Sequence, residues 1–287
     1  MVETKTTSSE ATTRPAARAA GGRSYGPGYI APHPSIRKDA VDVDSFLQEH
    51  QVYTQEYLDS VQPVHRNPAK LHELVAWYWH VTARTMVGLL TGTVFSAPDY
   101  LTETSLAQRM LFFTSVGLCG GFAGAVYNHL RSMVWNKPDN GWVHTELANA
   151  EAVRTHGGIL AMHTRPPLPA RLTQLLFQVF LFFQLLLVYA VWPSLAHAYE
   201  AYRAEEQVFN LSQAIRLIDS GRFKGWRSSR APGLAVSYYG LQGDAPLREA
   251  LLRMRADEAC IHHLNIVLAD LRPGDRNPFI TVERKSK

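Results

Sequence analysis

The sequence predicts an all-α protein, and three observations carry that prediction. From Val41 onward apolar residues recur at helical spacing, the alternation of a half-buried strand is absent, and most prolines fall between the periodic runs. No internal repeat of fixed period shows. The chain has 287 residues, 46% hydrophobic and 10% aromatic, enough for a sizeable buried core. Charged residues make up 19%, below the quarter usual for soluble domains, which leans toward a membrane.

Residues 1–40 are rich in Ser, Thr, Ala, Gly, Pro and Arg without a helical period, and read as an extended or disordered arm, one that lies on a partner if it is ordered. A mitochondrial presequence would have this composition, but Glu3 and Glu10 spoil the pattern. Residues 41–62 read as a polar helix or two, within a helical extension that runs to 68. The main bundle is expected over 69–272. Its helices are 69–95, which carries Trp77, Trp79 and Arg84, then a long apolar one over 104–135 and an amphipathic one over 141–164. Pro166, Pro167 and Pro169 stop the last of these and start the next, 170–191, and Pro193 separates that from 195–220. Residues 221–243 contain Gly, Ser and Pro without period, 244–271 form a last strong helix, and 273–287 are a tail.

The net charge of +4 invites a nucleic-acid reading, which its distribution removes. Residues 1–40 hold six of the 29 basic side chains and three of the 25 acidic ones, leaving 23 against 22 for the rest. No Lys/Arg cluster interleaved with aromatics follows, so no phosphate-binding groove is indicated. The two cysteines, Cys119 and Cys260, form no Cys-x-x-Cys pair and no disulfide framework, and both read as small packing residues.

Two segments are apolar enough to engage a bilayer. Residues 172–192 contain no charge over 21 positions, the length of a span. Residues 110–127 are also uncharged, and Gly117, Gly120, Gly121 and Gly124 give two overlapping Gly-x-x-x-Gly spacings that let helices approach closely. Both could cross a membrane, or both could belong to a bundle that dips one face into a single leaflet. Trp77-Tyr78-Trp79 suits either an interfacial belt or the bundle core.

Four stretches are more specific. Asp139-Asn140-Gly141-Trp142 leads into a helix reaching Arg154-Thr155-His156. Ser115-Val116 is followed by Gly121 and His129-Leu130-Arg131-Ser132. Ala196-His197 precedes Tyr202-Arg203-Ala204-Glu205-Glu206-Gln207-Val208, and Arg255-Ala256-Asp257-Glu258-Ala259 precedes Asn277-Pro278-Phe279. In these motifs and their order the chain resembles the mitochondrial alternative oxidases, membrane-attached di-iron quinol oxidases. The resemblance implies a ferritin-like helical bundle lying monotopically on the matrix leaflet of the mitochondrial inner membrane, with 172–192 an interfacial helix. Such a site takes four carboxylates and two histidines, typically with two Glu-x-x-His pairs on facing helices.

On that register most ligands are missing. The family's first glutamate falls at Thr114, its first Glu-x-x-His at Val153 and His156, its third glutamate at Ala204, and its last Glu-x-x-His at Glu258 and Ile261. Only His156 and Glu258 survive, and Leu211 stands at the position of the family's catalytic tyrosine. Glu151, two positions before Val153, turns about 200° away, and Glu205, one past Ala204, about 100° away, so neither replaces a lost ligand. His262, about 40° from the line of the lost histidine, leaves open a mononuclear site with His156 and Glu258. His144, Glu206, Asp257 and His263 read as polar network or surface positions. Arg109 matches an arginine near the family's quinol pocket, and serves either a quinone or lipid contact or an ordinary ion pair. Glu258 is expected to pair with Arg154 or His156, since an unpaired buried charge is strongly unfavourable.

The expectation drawn from this loss is a chain that is not an enzyme and holds no metal or other cofactor. It would be an accessory subunit of a respiratory-chain complex, complex I first among them, with the other subunits and membrane lipids as partners. The alternatives are a quinol oxidase or other redox enzyme with a rebuilt mononuclear site, and a two-span scaffold.

Overall fold

The computed structural model describes residues 53–93, 101–272 and 275–279, so the arm at 1–40, the first part of the extension and the end of the tail lie outside the described residues. Among the described residues regular structure is helical, as expected, and Arg230 and Pro246 form an isolated antiparallel bridge. The helices are α1 Gln55–Ser60, α2 Leu71–Thr91, α3 Glu103–Trp135, α4 Trp142–Thr164, α5 Leu168–Val191, α6 Pro193–Asp219, α7 Lys224–Ser228, α8 Gly233–Tyr239 and α9 Leu247–Ala269.

Local chemistry sets the boundaries. Thr102 caps α3 by accepting from the Ser105 N–H while Ser105 Oγ accepts from the Thr102 N–H. Between α3 and α4 the backbone turns through Asn136, Asn140 and Gly141, all at positive φ, and Gly141 at +85° is where a side chain would be strained. Proline stands in the first turn of both α5 and α6, where a missing N–H costs nothing. The segment 221–243, expected to be irregular, contains α7 and α8. Helices of 5 and 7 residues are too short to display a period.

Four helices form a ring around the centre. The most extensive interfaces join α3 to α4 and α6 to α9, with α3 also meeting α6 and α4 meeting α9. On the α3/α6 side lie α2 and α5, each packed on both. Leu181, Leu185 and Tyr189 bind α5 to this core, while Leu176, Phe180, Phe183 and Leu187 face outward and are at least 63% exposed. Leu89 and Leu90 of α2 are similarly bare. Each such side chain, buried in an apolar phase, would gain about 1.5–3 kcal/mol over its exposure to water. The other apolar helix is different: 72% of the hydrophobic window of α3 is buried, against 17% for α5. Its apolar length is therefore accounted for by the bundle core, which weakens the two-span reading.

The extension is joined to the bundle. Tyr53, Leu58 and Val61 belong to the main apolar core, and Arg255 Nη2 of α9 donates to the Leu58 carbonyl at 2.6 Å.

Candidate functional site

Helix α6 is enclosed by α2, α3, α5 and α9, so its polar residues have little water to reach. Glu200, Arg203, Glu206, Gln207 and Asn210 are all buried. Arg203 is the most enclosed, and it organises the centre. Its Nε donates to Glu200 Oε2 at 2.9 Å, and its Nη1 donates to Glu258 Oε2 at 2.9 Å. The other Glu258 oxygen lies 2.9 Å from His156 Nδ1, and His156 Nε2 lies 3.0 Å from Asp257 Oδ2. Tyr239 Oη then donates to Asp257 Oδ2 at 2.8 Å, and Tyr53 Oη donates to Oδ1 at 2.5 Å. Carboxylate and cation alternate through the core from Glu200 to Asp257, drawn from α4, α6 and α9.

Electrostatics follow from that order. Burial would lower the His156 imidazole, but hydrogen bonds to Asp257 and Glu258 outweigh it and raise it to about 9. Burial would raise Glu258, yet the Arg203 charge and the His156 hydrogen bond hold its carboxyl below the usual range. At Glu200 burial prevails over the charge and hydrogen bond of Arg203 and lifts the carboxyl to about 7, and its Oε1 has no hydrogen-bond partner. Glu146 of α4, fully buried, is raised further by burial and by Glu200. His197, 3.5 Å from Glu146 and hydrogen-bonded to Asn265 Oδ1, is lowered by burial to about 4 and is neutral at physiological pH.

The glycine stripe of α3 makes room for these side chains. A Cβ on Gly117 would lie 2.5 Å from Arg203 Cζ, one on Gly120 2.1 Å from Glu200 Oε1, and one on Gly124 2.9 Å from Glu146 Cδ. Only Gly121 admits another helix backbone, since its Cβ would lie 2.9 Å from the Ala150 N. The spacing expected to bring helices together instead mostly seats buried charge.

Val153, Ala204 and Ile261 pack into one small apolar cluster. Thr114 donates to the Met110 carbonyl at 2.7 Å and accepts from Gln207 Nε2 at 3.0 Å, and Leu211 is core. Glu258 does pair with His156, but its second partner is Arg203, while Arg154 forms a surface pair with Glu151. Glu205 accepts from the Arg66 N–H and contacts His65. His262 hydrogen-bonds through Nδ1 to the Ala201 carbonyl at 2.8 Å and does not join His156 and Glu258 in a common ligand group. Among the described residues only His72, Glu73 and Asp270 come within ligand reach of one point. There Arg66 and Lys70 already pair with the two carboxylates. Cys260 touches Tyr57 Oη, and burial pushes its thiol up to about 11, as it does Cys119 to about 12. His263 is buried edge-on to Phe279, and His144 is exposed. Trp79 stacks on Tyr199 with centroids 4.1 Å apart, whereas Tyr78 faces outward.

A second buried cluster lies between α2, α3 and α6. Arg109 Nη2 pairs with Glu206 Oε1, and its Nη1 donates to Thr93 Oγ1 at 3.3 Å. Arg84 Nε and His80 Nε2 approach the other Glu206 oxygen at 3.5 and 3.7 Å. Burial would raise Glu206, but His80 and the two guanidinium groups keep it below the ordinary carboxylate range. Arg109 Nε and His80 Nδ1 are buried with no hydrogen-bond partner.

A ring of four helices with paired carboxylates and histidine at its centre, overlaid by apolar helices on one side, is the plan of the ferritin-like carboxylate proteins in a membrane-facing form. The family model described as Alternative oxidase matches residues 53–270. The mitochondrial alternative oxidase of Emericella nidulans is 32% identical over 239 residues, spanning 80% of this chain and 68% of that protein. That of Aspergillus niger is 31% identical over the same shares, and that of Trypanosoma brucei brucei 28% identical over 79% and 69%. The chain belongs to the alternative oxidase family.

This membership corrects two expectations together, that the chain is not an enzyme and that it is an accessory subunit of complex I or its supercomplex. The relatives that match four-fifths of it are named oxidases. Lost ligands limit what the centre can hold, and they do not by themselves remove chemistry from the rest of the chain.

The di-iron pair implied by the family does not fit the residues present. Three of its ligand positions are packed apolar side chains, and Thr114 is committed to Met110 and Gln207. Both nitrogens of His156 and both carboxylate oxygens of Glu258 are taken by protein partners.

The residues missed in the sequence were Arg203, Glu200 and Glu146. Their signal was present: charged residues on two helices rich in Ala, opposite glycines of α3 at matching intervals.

Proposed function

We propose that the protein is a quinol-binding member of this oxidase family in the mitochondrial inner membrane, and that its quinol site is the Arg109–Glu206 cluster. Membership of a family whose named relatives are mitochondrial oxidases supports the class and the compartment. The observation that carries the site is the cluster itself: a buried carboxylate held ionised by Arg109, Arg84 and His80, with two buried nitrogens unpartnered. A quinol hydroxyl can donate a hydrogen bond to Glu206, and Arg109 Nε can donate to a quinone oxygen. The side where α2 and α5 leave leucine and phenylalanine bare gives a lipid-soluble substrate its approach. That face lies in one leaflet, on the matrix side.

The test is the full chain in liposomes, with a short-chain quinone titrated against tryptophan fluorescence and quinol-driven oxygen uptake recorded alongside. Saturable quenching that Arg109→Met weakens tenfold or more, with an unchanged far-UV spectrum, supports the reading. Absence of saturable quenching in the wild-type chain refutes it.

A further inference from the structure

The centre of the bundle and the cluster at Arg109 are separate, and the centre poses its own question. Glu258 is 0% exposed, at a position where the family holds a metal ligand, and a buried carboxylate needs a counter-charge. In this chain the counter-charge is a side chain. We infer that Arg203 is a built-in replacement for the metal, a tethered cation that pairs with Glu258 and Glu200 and closes the centre to divalent metal even where the missing donors are restored.

Three observations carry this. Arg203 is 0% exposed and bridges the two carboxylates, with both contacts at 2.9 Å. A guanidinium stays charged at every accessible pH and offers donors in a fixed fork, so it satisfies carboxylate oxygens that would otherwise face a metal. Gly117 and Gly120 provide the space, since a Cβ at either would collide with Arg203 or Glu200. The cation stands beside Ala204 in the same turn of α6, where the resemblance places a ligand carboxylate. The one surviving carboxylate has no oxygen left to offer: Arg203 takes one and His156 the other. A metal entering here must displace a charged group that cannot leave the site.

The inference is independent of quinol binding and is read by metal content. Three full-length chains are expressed in iron-replete medium, purified and assayed for iron per chain by mass spectrometry. They are the wild type, the four-donor variant Thr114→Glu, Val153→Glu, Ala204→Glu, Ile261→His, and the same variant with Arg203→Leu. The expected result is no stoichiometric iron in the first two and about two iron atoms per chain in the third, the complement of a di-iron site. Stoichiometric iron in the wild type or in the four-donor variant overturns the inference, as does a folded third variant without iron. Should the third variant fail to fold, single exchanges decide. Arg203→Leu is expected to lower the melting temperature by about 6–20 °C, and Arg203→Lys to recover more than half of that loss by keeping the charge. A leucine variant that melts with the wild type, or a lysine variant no better than leucine, overturns it.

Discussion

Glu200 couples the stability of this fold to pH in a window that its environment defines. Its carboxyl is raised from 4.5 to about 7, chiefly by burial, against the pull of Arg203. A group whose folded value lies above its unfolded value favours the protonated fold. Its contribution is complete below pH 4.5 and is lost as pH rises through about 7. At about 1.4 kcal/mol per unit the shift amounts to roughly 3 kcal/mol, a substantial part of a typical folding free energy. His156 is raised as well, so its contribution is complete below 6.5 and lost as pH rises through about 9, which overlaps the upper end of the same window. Glu200→Gln separates the two, because glutamine keeps the shape and does not ionise. Denaturation of both chains in the same detergent, at fixed ionic strength from pH 4.5 to 8, gives a difference in unfolding free energy from which the His156 contribution largely cancels. Relative to the glutamine variant, the wild type should lose roughly 3 kcal/mol across the interval and then level off. A difference that changes by less than about 0.3 kcal/mol per pH unit between 5 and 7 would show that Glu200 does not hold its proton in the folded chain.

Two further outcomes are expected. Gly121→Ala places a methyl 2.9 Å from the Ala150 backbone nitrogen, and should cost about 1–3 kcal/mol in chemical denaturation. Unchanged stability would mean that α3 and α4 can separate at no cost. Replacing Leu176 and Phe180 of α5 by glutamate should reduce sedimentation with liposomes of mitochondrial lipid composition at least tenfold while helicity is retained, since both side chains are largely exposed. Equal sedimentation of wild type and variant would place the membrane contact elsewhere.

The helical architecture was legible because prolines and turn residues punctuate it. Pro167, Pro169 and Pro193 stand at the helix starts they signal, and the periodic runs were long enough to name the six major helices. The family motifs located His156 and Glu258, and these two side chains do meet. The rest of the centre was hidden by an ambiguity of helices. Glu200 and Arg203 stand three residues apart, the spacing of a solvated surface pair such as Glu151 and Arg154, which the structure also contains. What separates the two pairs is that α6 has neighbours on nearly every side, a fact of tertiary packing that single-helix periodicity does not carry. The glycines of α3 recorded the same fact from across the interface. They looked like a device for bringing backbones together, because a glycine that admits a backbone and one that admits a guanidinium have the same letter.

The exchanges at the centre form one electrostatic unit. A bundle holding four carboxylates around two metal ions is neutralised by the ions, and without them each unpaired carboxylate would impose several kcal/mol of desolvation. Where the resemblance places three of those carboxylates this chain has Thr114, Val153 and Ala204, which carry no such burden, and Val153 and Ala204 pack with Ile261. One ligand carboxylate, Glu258, persists, and a second buried one, Glu200, has joined it, so the centre still needs positive charge. Arg203 and His156 provide it in alternation, with Asp257 closing the far end. Reverting any one element alone would be worse than either complete arrangement. A leucine at Arg203 would leave Glu258 to His156 alone and strip Glu200 of its cation. A glutamate at Ala204 would add a third buried carboxylate beside the two that Arg203 already pairs. The centre is therefore self-consistent as it stands, with its charge carried by the polypeptide.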